Sequence, residues 1–209
     1  MGPAEPRVAA TVILLREPPE SGRVEAGPAG GGFELLMVAR NPAGRVMAGV
    51  WAFPGGALER EDGDGERGLR VAAVRELAEE TGITGVATAD LVPFARWIAP
   101  ISLPVRFDTH FFLARAPARS EPAVDGVECV DAAWLSPAAA LAEARAGALP
   151  LLFPTRKQLE RMQGFATIDE LLAAAAAAPI EPVRPRLRRP GDPEDALLPG
   201  DPGYDTATG

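Results

Sequence analysis

Residues 75–83, RELAEETGI, place three glutamates within little more than one helical turn. Like charges at this spacing repel one another and weaken an isolated helix by roughly 0.2–0.5 kcal/mol per pair. With about 100° of rotation per residue, Glu79 lies about 60° to one side of Glu76 and Glu80 about 40° to the other. The three carboxylates therefore project from one side of the helix, where a bound cation would relieve their repulsion.

This acidic pattern predicts a divalent metal site. A hard cation, Mg²⁺ (or Mn²⁺), takes oxygen ligands from a few carboxylates, from water and from substrate phosphates. We expect Glu76, Glu79 and Glu80 to be the metal ligands, and Arg75 to pair with one carboxylate and fix its orientation. The plainer alternative is an amphipathic helix whose acidic face is solvated.

Small residues near the glutamates favour the metal site. Gly55 and Gly56, in the segment FPGG, allow the backbone to approach a ligand closely. Ala72 and Ala73 lie one turn before the carboxylates on the same side, which leaves room for a bulky group. Gly82 ends the helix directly after the cluster. The apolar side of this helix is expected to consist of Val71, Val74, Leu77 and Ala78.

The order of predicted elements indicates an α+β fold. Strands are expected at 8–15, 33–40, 94–100, 105–116 and 126–135, and helices at 69–81, 136–147, 154–164 and 167–178. Strands surround one central helix and further helices follow. We therefore expect an α/β/α sandwich around a central mixed β-sheet, with extra C-terminal helices.

One domain is expected over residues 1–178, with a Gly/Pro-rich loop at 17–32. Residues 179–209 are dense in proline, arginine and acidic residues, a composition typical of a tail. The apolar ending ALLPGDPGY is the part of this tail that is able to dock back onto the domain.

Charge and cysteine content limit the partners and the compartment. The net charge of −8 argues against a nucleic-acid partner. The single cysteine, Cys129, cannot form an internal disulfide, and we expect it to be buried rather than nucleophilic. The first apolar run is too short for a membrane span and lacks signal-peptide flanks. We therefore expect a cytoplasmic protein with no membrane partner, and leave a homodimer open.

The acidic helix resembles the second half of the Nudix box, G-x5-E-x7-R-E-U-x-E-E-x-G-U, in which U is aliphatic. The match covers every specified position of that half: Arg75, Glu76, Leu77, Glu79, Glu80, Gly82 and Ile83. The resemblance extends over roughly residues 7–160. It implies a Nudix-type α/β/α sandwich. It also implies a Mg²⁺-dependent enzyme that hydrolyses a nucleoside diphosphate linked to another group.

The first half of the box departs from the family pattern. If Gly56 is the leading glycine, Arg75 follows 19 positions later where the box requires 14. The stretch EREDGDGERG therefore resembles an insertion, which expands the box loop to residues 57–68. Glu59, Asp62 and Glu66 are alternatives for the missing box glutamate.

An upstream pattern resembles the coenzyme A diphosphatases of the family, and the downstream strands resemble an acyl-CoA branch known from mammalian peroxisomes. The residues in register are Leu36, Arg40, Arg45, Gly49 and Phe53 to Gly56, whereas Met37, Val38 and Asn41 depart. This resemblance implies cleavage of coenzyme A or acyl-CoA to adenosine 3′,5′-bisphosphate and (acyl-)4′-phosphopantetheine. The simpler alternative is that the two arginines and the glycine only hold a loop in place.

The resemblance also implies roles for individual residues. Arg40 and Arg45 are candidates for phosphate binding. The general base is Glu79, Glu80 or Glu128, and for Glu128 the role of an ordinary surface acid is the favoured alternative. The predicted substrate-binding residues are completed by Gly55, Gly56 and Arg106; Arg106 is alternatively the ion-pair partner of Asp108.

Two other functions compete with this interpretation. One keeps the metal helix and changes the substrate to ADP-ribose or a dinucleotide. The other is a non-catalytic nucleotide-sensing Nudix module, which usually loses a box carboxylate, whereas all three are present here.

Overall fold

The central strand of the structure, β1, spans Arg7–Arg16 and has a nearly continuous apolar sequence that is buried on both faces. This burial is typical of a strand that lies inside a sheet and is covered by helices on both sides. The computed structural model describes residues 5–19, 32–44, 47–189 and 195–208. The predicted loop at 17–32 lies mostly outside these residues.

The described residues form short strands around this centre, together with four helices. The remaining strands are β2 (Glu34–Arg40), β3 (Trp51–Ala52), β4 (Gly55–Ala57), β5 (Val92–Ile98), β6 (Phe107–Arg115), β7 (Cys129–Leu135), β8 (Pro182–Val183), β9 (Arg186–Leu187) and β10 (Ala196–Leu197). The α-helices are α1 (Gly65–Thr81), α2 (Pro137–Arg145), α3 (Phe153–Met162) and α4 (Ile168–Ala177).

The main sheet is mixed, as predicted. Its strands run in the order β3-β2-β1-β6-β5-β8, with β4 paired to β1 and β7 paired to β2. The β1–β6 and β5–β8 pairs are parallel, and the other pairs are antiparallel. Because β4 occupies the N-terminal half of β1 and β2 its C-terminal half, the chain around Gly55 lies next to the middle of the sheet.

Helices cover both faces of the sheet, which confirms the expected α+β class. Leu77 and the alanines of α1 pack against one face, in a cluster that includes Val12 and Leu36. The helices α2, α3 and α4 cover the other face, where Leu159 and Leu171 pack with Ile13. Among the residues that the structure describes, α1 is the α-helix that contributes to the core on this side of the sheet.

The buried side of α1 differs from the predicted one. Ala72, Ala73 and Leu77 are fully buried, whereas Val71 and Ala78 are only partly buried. The expectation that the two alanines leave room for a bulky group was wrong, because they pack directly on the sheet. Their small size brings the helix close to the strands, and Glu76 and Glu80, further along the same helix, are buried as well.

The end of α1 follows the prediction. Gly82 adopts a left-handed conformation with φ of 69°, and its N–H bonds to the carbonyl of Ala78 at 2.9 Å. This conformation favours glycine. The helix accordingly ends at Thr81, one residue after Glu80.

Part of the C-terminal segment packs on the domain. Strand β8 pairs in parallel with β5, and β9 pairs with β10. The Tyr204 hydroxyl donates to the carbonyl oxygen of Arg184 at 2.7 Å, and Leu187 and Thr208 exchange backbone hydrogen bonds. No helix within the described ranges has both the length and the apolar character needed to cross a bilayer.

Candidate active site

Glu80 is the most deeply buried of the three helix glutamates. Its side chain is only 2% exposed. Its Oε1 accepts from Arg40 Nη1 at 3.0 Å, and its Oε2 accepts from the Gly55 N–H at 2.9 Å. Burial raises the pKa of Glu80 to about 7, although these two donors oppose the shift. Cys129 is buried beside it, and burial together with the Glu80 charge raises the thiol pKa to about 12.

Arg75 ties the acids of helix and loop together. Its Nε and Nη2 bond to the two carboxylate oxygens of Asp62, both at 2.9 Å. Its Nη1 donates to Glu76 Oε1 at 2.9 Å and to Glu79 Oε2 at 2.8 Å. The Asp62 hydrogen bond is the main reason that the pKa of Arg75 is raised. We expected Arg75 to orient one carboxylate, and the structure gives it contacts with three.

Asp62 is the loop acid that reaches Arg75. Sequence reasoning left Glu59, Asp62 and Glu66 open as replacements for the missing box glutamate. In the structure Glu59 donates its N–H to Asp62 Oδ2 at 2.8 Å, and Glu66 accepts from Arg70. The available signal was that Asp62 stands six positions after Gly56, where the box has its glutamate.

Gly55 and Gly56 are required by the packing of the site. A Cβ atom on Gly56 would lie 2.3 Å from the Glu76 carboxylate, and one on Gly55 would lie 2.5 Å from the Ala10 carbonyl oxygen and from Thr11 Oγ1. A larger residue at position 55 would therefore push the loop away from β1, and one at position 56 would displace the Glu76 carboxylate. The close approach that these glycines allow is to the protein's own acid and strand, and their contact with a substrate stays a prediction.

The three helix glutamates differ in exposure. The Glu76 side chain is 12% exposed and that of Glu79 is 59% exposed. Burial raises the pKa of Glu76, opposed by Arg75 and reinforced by the charges of Glu79 and Glu128. Glu76 and Glu79 bond to the same Arg75 nitrogen, so their oxygens lie close together.

The chemistry of these side chains suits a hard divalent cation. Their arrangement in the structure, however, is not that of a complete metal site. The donors are carboxylate oxygens, which Mg²⁺ and Mn²⁺ prefer, and Glu76 and Glu80 carry charge into a buried site. Among the residues that the structure describes, no group of three or more His, Cys, Asp or Glu side chains is close enough to hold a metal. Arg40 and Arg75 contact the carboxylates in this arrangement, so a cation would require their side chains to rearrange.

Glu128 and Arg40 lie at the exposed side of the site. Glu128 is 62% exposed, with its Oε2 3.8 Å from Arg40 Nη2. The backbone around it is fixed, because Asp125 accepts from the N–H groups of Glu128 and Cys129 at 2.9 Å. Arg45, the other predicted phosphate-binding arginine, lies outside the described residues.

Arg106 lines a cavity whose lining does not include the helix glutamates. Its Nε donates to the carbonyl of Ala99 at 3.1 Å, and the residues lining the cavity with it come from the end of β5 and from the C-terminal segment. Asp108 accepts from Arg96 at 2.8 and 2.6 Å, and this hydrogen bond lowers the Asp108 pKa. Sequence reasoning did not single out Arg96. His110 Nε2 lies 3.7 Å from Asp108, and burial lowers the pKa of His110.

The NUDIX domain family model matches residues 6–153, and the chain belongs to the Nudix hydrolase family. This confirms the family that the acidic helix predicted, and enzymes of this family generally use divalent metal ions.

Individual relatives agree with this assignment. "Putative nudix hydrolase 7" of Caenorhabditis elegans is 28% identical over 164 residues, which are 61% of this chain and 55% of that protein. The chain thus spans about half the length of this curated relative.

Solved structures share the fold. A Nudix hydrolase from Alicyclobacillus acidocaldarius has a TM-score of 0.70 and 25% identity, covering 84% of this chain and 99% of that chain. The Nudix domain of Shewanella oneidensis NrtR, solved with ADP-ribose, has a TM-score of 0.55 and 16% identity, covering 77% of this chain and 88% of that chain. At 16% identity, the similarity to the NrtR domain shows only that the two chains share a fold.

The Asp62–Arg75 pair makes stability dependent on pH. The Arg75 hydrogen bond lowers the Asp62 pKa in the folded state, so its stabilisation is complete above the unfolded pKa of about 3.9. The contribution is lost as the pH falls through the folded pKa. We expect Asp62→Asn to reduce the free energy of unfolding at pH 7 by about 1–3 kcal/mol, with a smaller difference from wild type below about pH 4.

Urea unfolding across this pH range measures the effect. Glu61→Gln, at an exposed neighbour in the same turn, is the control and should behave as wild type. An Asp62→Asn difference that grows on acidification would contradict the assignment.

Proposed function

We propose that this chain is a divalent-cation-dependent hydrolase that cleaves the diphosphate bridge of a nucleoside diphosphate linked to another group. The observation that carries this proposal is the position of Glu76, Glu79 and Glu80 on one side of α1, with Glu76 and Glu80 packed against Gly56 and Gly55 of β4. Two of these acids are buried despite their mutual repulsion. Burial of like charges is costly for stability alone, and ligand binding gives a reason for it.

In this proposal Glu76, Glu79 and Glu80 hold the cation, Mg²⁺ or Mn²⁺. When bound, the cation neutralises the diphosphate charge and lowers the pKa of the attacking water. Arg75 is a positioning residue, because its hydrogen bonds to Glu76 and Glu79 set the direction of both carboxylates. The Gly55 N–H does the same for Glu80.

The general base is one of Glu79, Glu80 and Glu128. Glu79 and Glu128 are the exposed members of this group and are able to reach a water in the open part of the site. Glu128→Gln separates the alternatives. A fall in kcat with unchanged Mg²⁺ dependence assigns the base to Glu128, whereas full activity assigns it to the helix acids.

Coenzyme A or an acyl-CoA is the substrate that we propose within this class. Arg40 supports it, since its guanidinium lies between Glu80 and Glu128 and guanidinium groups fork onto phosphate oxygens. The upstream pattern that includes Arg40 and the FPGG turn is the second support. The products would be adenosine 3′,5′-bisphosphate and 4′-phosphopantetheine or its acyl form.

Removing one helix carboxylate tests the catalytic proposal. We expect Glu79→Gln to reduce turnover by about a thousandfold, since cation charge stabilisation contributes several kcal/mol. The fold should be retained because Glu79 is largely exposed and glutamine has the same shape. Steady-state rates with Mg²⁺ and circular dichroism measure the two effects.

The matched control for this variant is Glu143→Gln, at an exposed position on α2 on the opposite face of the sheet. It should leave the rate unchanged. Wild-type turnover in the Glu79→Gln protein would refute the role of the helix in metal binding.

A mixed-substrate assay tests the substrate. Coenzyme A, an acyl-CoA, NADH and ADP-ribose are offered together with Mg²⁺, and products are identified by mass spectrometry. We expect adenosine 3′,5′-bisphosphate to accumulate first. Faster cleavage of ADP-ribose or NADH would favour the alternative of an ADP-ribose or dinucleotide pyrophosphatase. Nucleotide binding without any product, with Mg²⁺ or Mn²⁺, would favour a sensing module.

A further inference from the structure

Three arginines line a cavity of about 280 Å³ at the edge of the sheet, between the end of β5 and the C-terminal segment. They are Arg106, Arg184 and Arg186. The other lining residues are Ile98, Ala99, Pro100, Ile101, Pro185 and Tyr204. No acidic side chain is among the described residues that line it, which is unusual for a chain whose net charge is −8.

Hydrogen bonds to neutral groups fix Arg186. Its Nη1 donates to the carbonyl oxygens of Tyr204 and Asp205 at 3.2 and 3.1 Å. Its guanidinium also lies 4.6 Å from the centre of the Tyr204 ring. These contacts hold the positive charge in place without neutralising it, because the carbonyls and the ring carry no formal charge.

Arg184 is exposed at the rim of the same cavity. Its positive charge contributes to the lowered pKa of Asp108, but both carboxylate oxygens of Asp108 already accept hydrogen bonds from Arg96. The Arg184 guanidinium is therefore able to bind a ligand without breaking that pair.

The C-terminal segment builds the cavity wall. Strand β8 pairs with β5 through Val183 and Trp97, so Arg184 follows alongside the end of β5. The Tyr204 hydroxyl donates to the Arg184 carbonyl oxygen at 2.7 Å. This hydrogen bond connects the two parts of the segment that line the cavity. Two arginines and one aromatic ring of this segment thereby face Arg106 and the apolar residues that follow β5.

We propose that this arginine pocket binds a small phosphate-bearing anion. Guanidinium groups donate paired hydrogen bonds that match phosphate oxygens, and several of them around one cavity give the charge that such an anion requires. The apolar walls and the Tyr204 ring provide a surface for an organic group attached to the phosphate. The pocket is separate from the helix acids, since its lining includes neither Glu76, Glu79 and Glu80 nor their partners Arg40 and Arg75.

Calorimetric titration of the full chain tests the pocket, with inorganic phosphate and adenosine 5′-monophosphate as separate probes. EDTA is included so that divalent cations do not recruit the probe to the helix acids. We expect saturable binding, weakened about tenfold or more by Arg184→Gln through loss of charge-assisted hydrogen bonds. Arg184→Lys, which keeps the charge and loses the planar fork, should retain part of the affinity.

Arg188→Gln is the matched control, because Arg188 is exposed, pairs with Asp195 at 3.4 Å and does not line the cavity. It should bind as wild type does. Tighter binding of the nucleotide than of inorganic phosphate would identify an organic phosphate as the ligand, and equal binding would identify the phosphate group alone. Absence of saturable binding, or an equal loss in Arg184→Gln and Arg188→Gln, would overturn the proposal.

Discussion

The site depends on the burial of two like charges, Glu76 and Glu80, between α1 and the sheet. Burial raises the pKa of both groups; the Glu76 charge adds to the rise at Glu80, and the charges of Glu79 and Glu128 add to the rise at Glu76. Such burial is tolerated only when donors compensate the charge. Arg75 compensates Glu76, while Arg40 and the Gly55 N–H compensate Glu80. The alanine face of the helix and the glycine pair of the loop bring these groups within bonding distance.

The same contacts link the expanded loop to the helix. Asp62 reaches Arg75 from a short 3-10 turn at Arg60–Asp62, so the insertion lengthens the loop without removing its acidic contact. Arg75 thus joins Asp62 of the loop, Glu76 and Glu79 of the helix, and the carbonyl of Ala57. We therefore expect a change in the loop to alter the positions of the Glu76 and Glu79 carboxylates through the Arg75 guanidinium.

Local signals made much of this fold predictable. Ser136 caps α2 by accepting from the Ala139 N–H, and Gly82 ends α1, because both devices act within one helical turn. The buried face of α1 was predicted wrongly, since apolar periodicity places valines inside and does not anticipate buried acids with arginine partners. Asp62 keeps the box spacing from Gly56 but not from Arg75, so spacing alone did not separate it from Glu59 and Glu66. The cavity that Arg106 lines is built partly from a C-terminal segment whose composition is typical of a tail.

Anomalous diffraction from crystals soaked in Mn²⁺ and a non-hydrolysable diphosphate tests the central claim, that the buried helix acids bind a divalent cation. We predict a peak about 2.1 Å from carboxylate oxygens of Glu76 and Glu80, with Arg40 and Arg75 displaced from at least one of them. A map with no peak beside these side chains, or with a peak only elsewhere, would contradict the account.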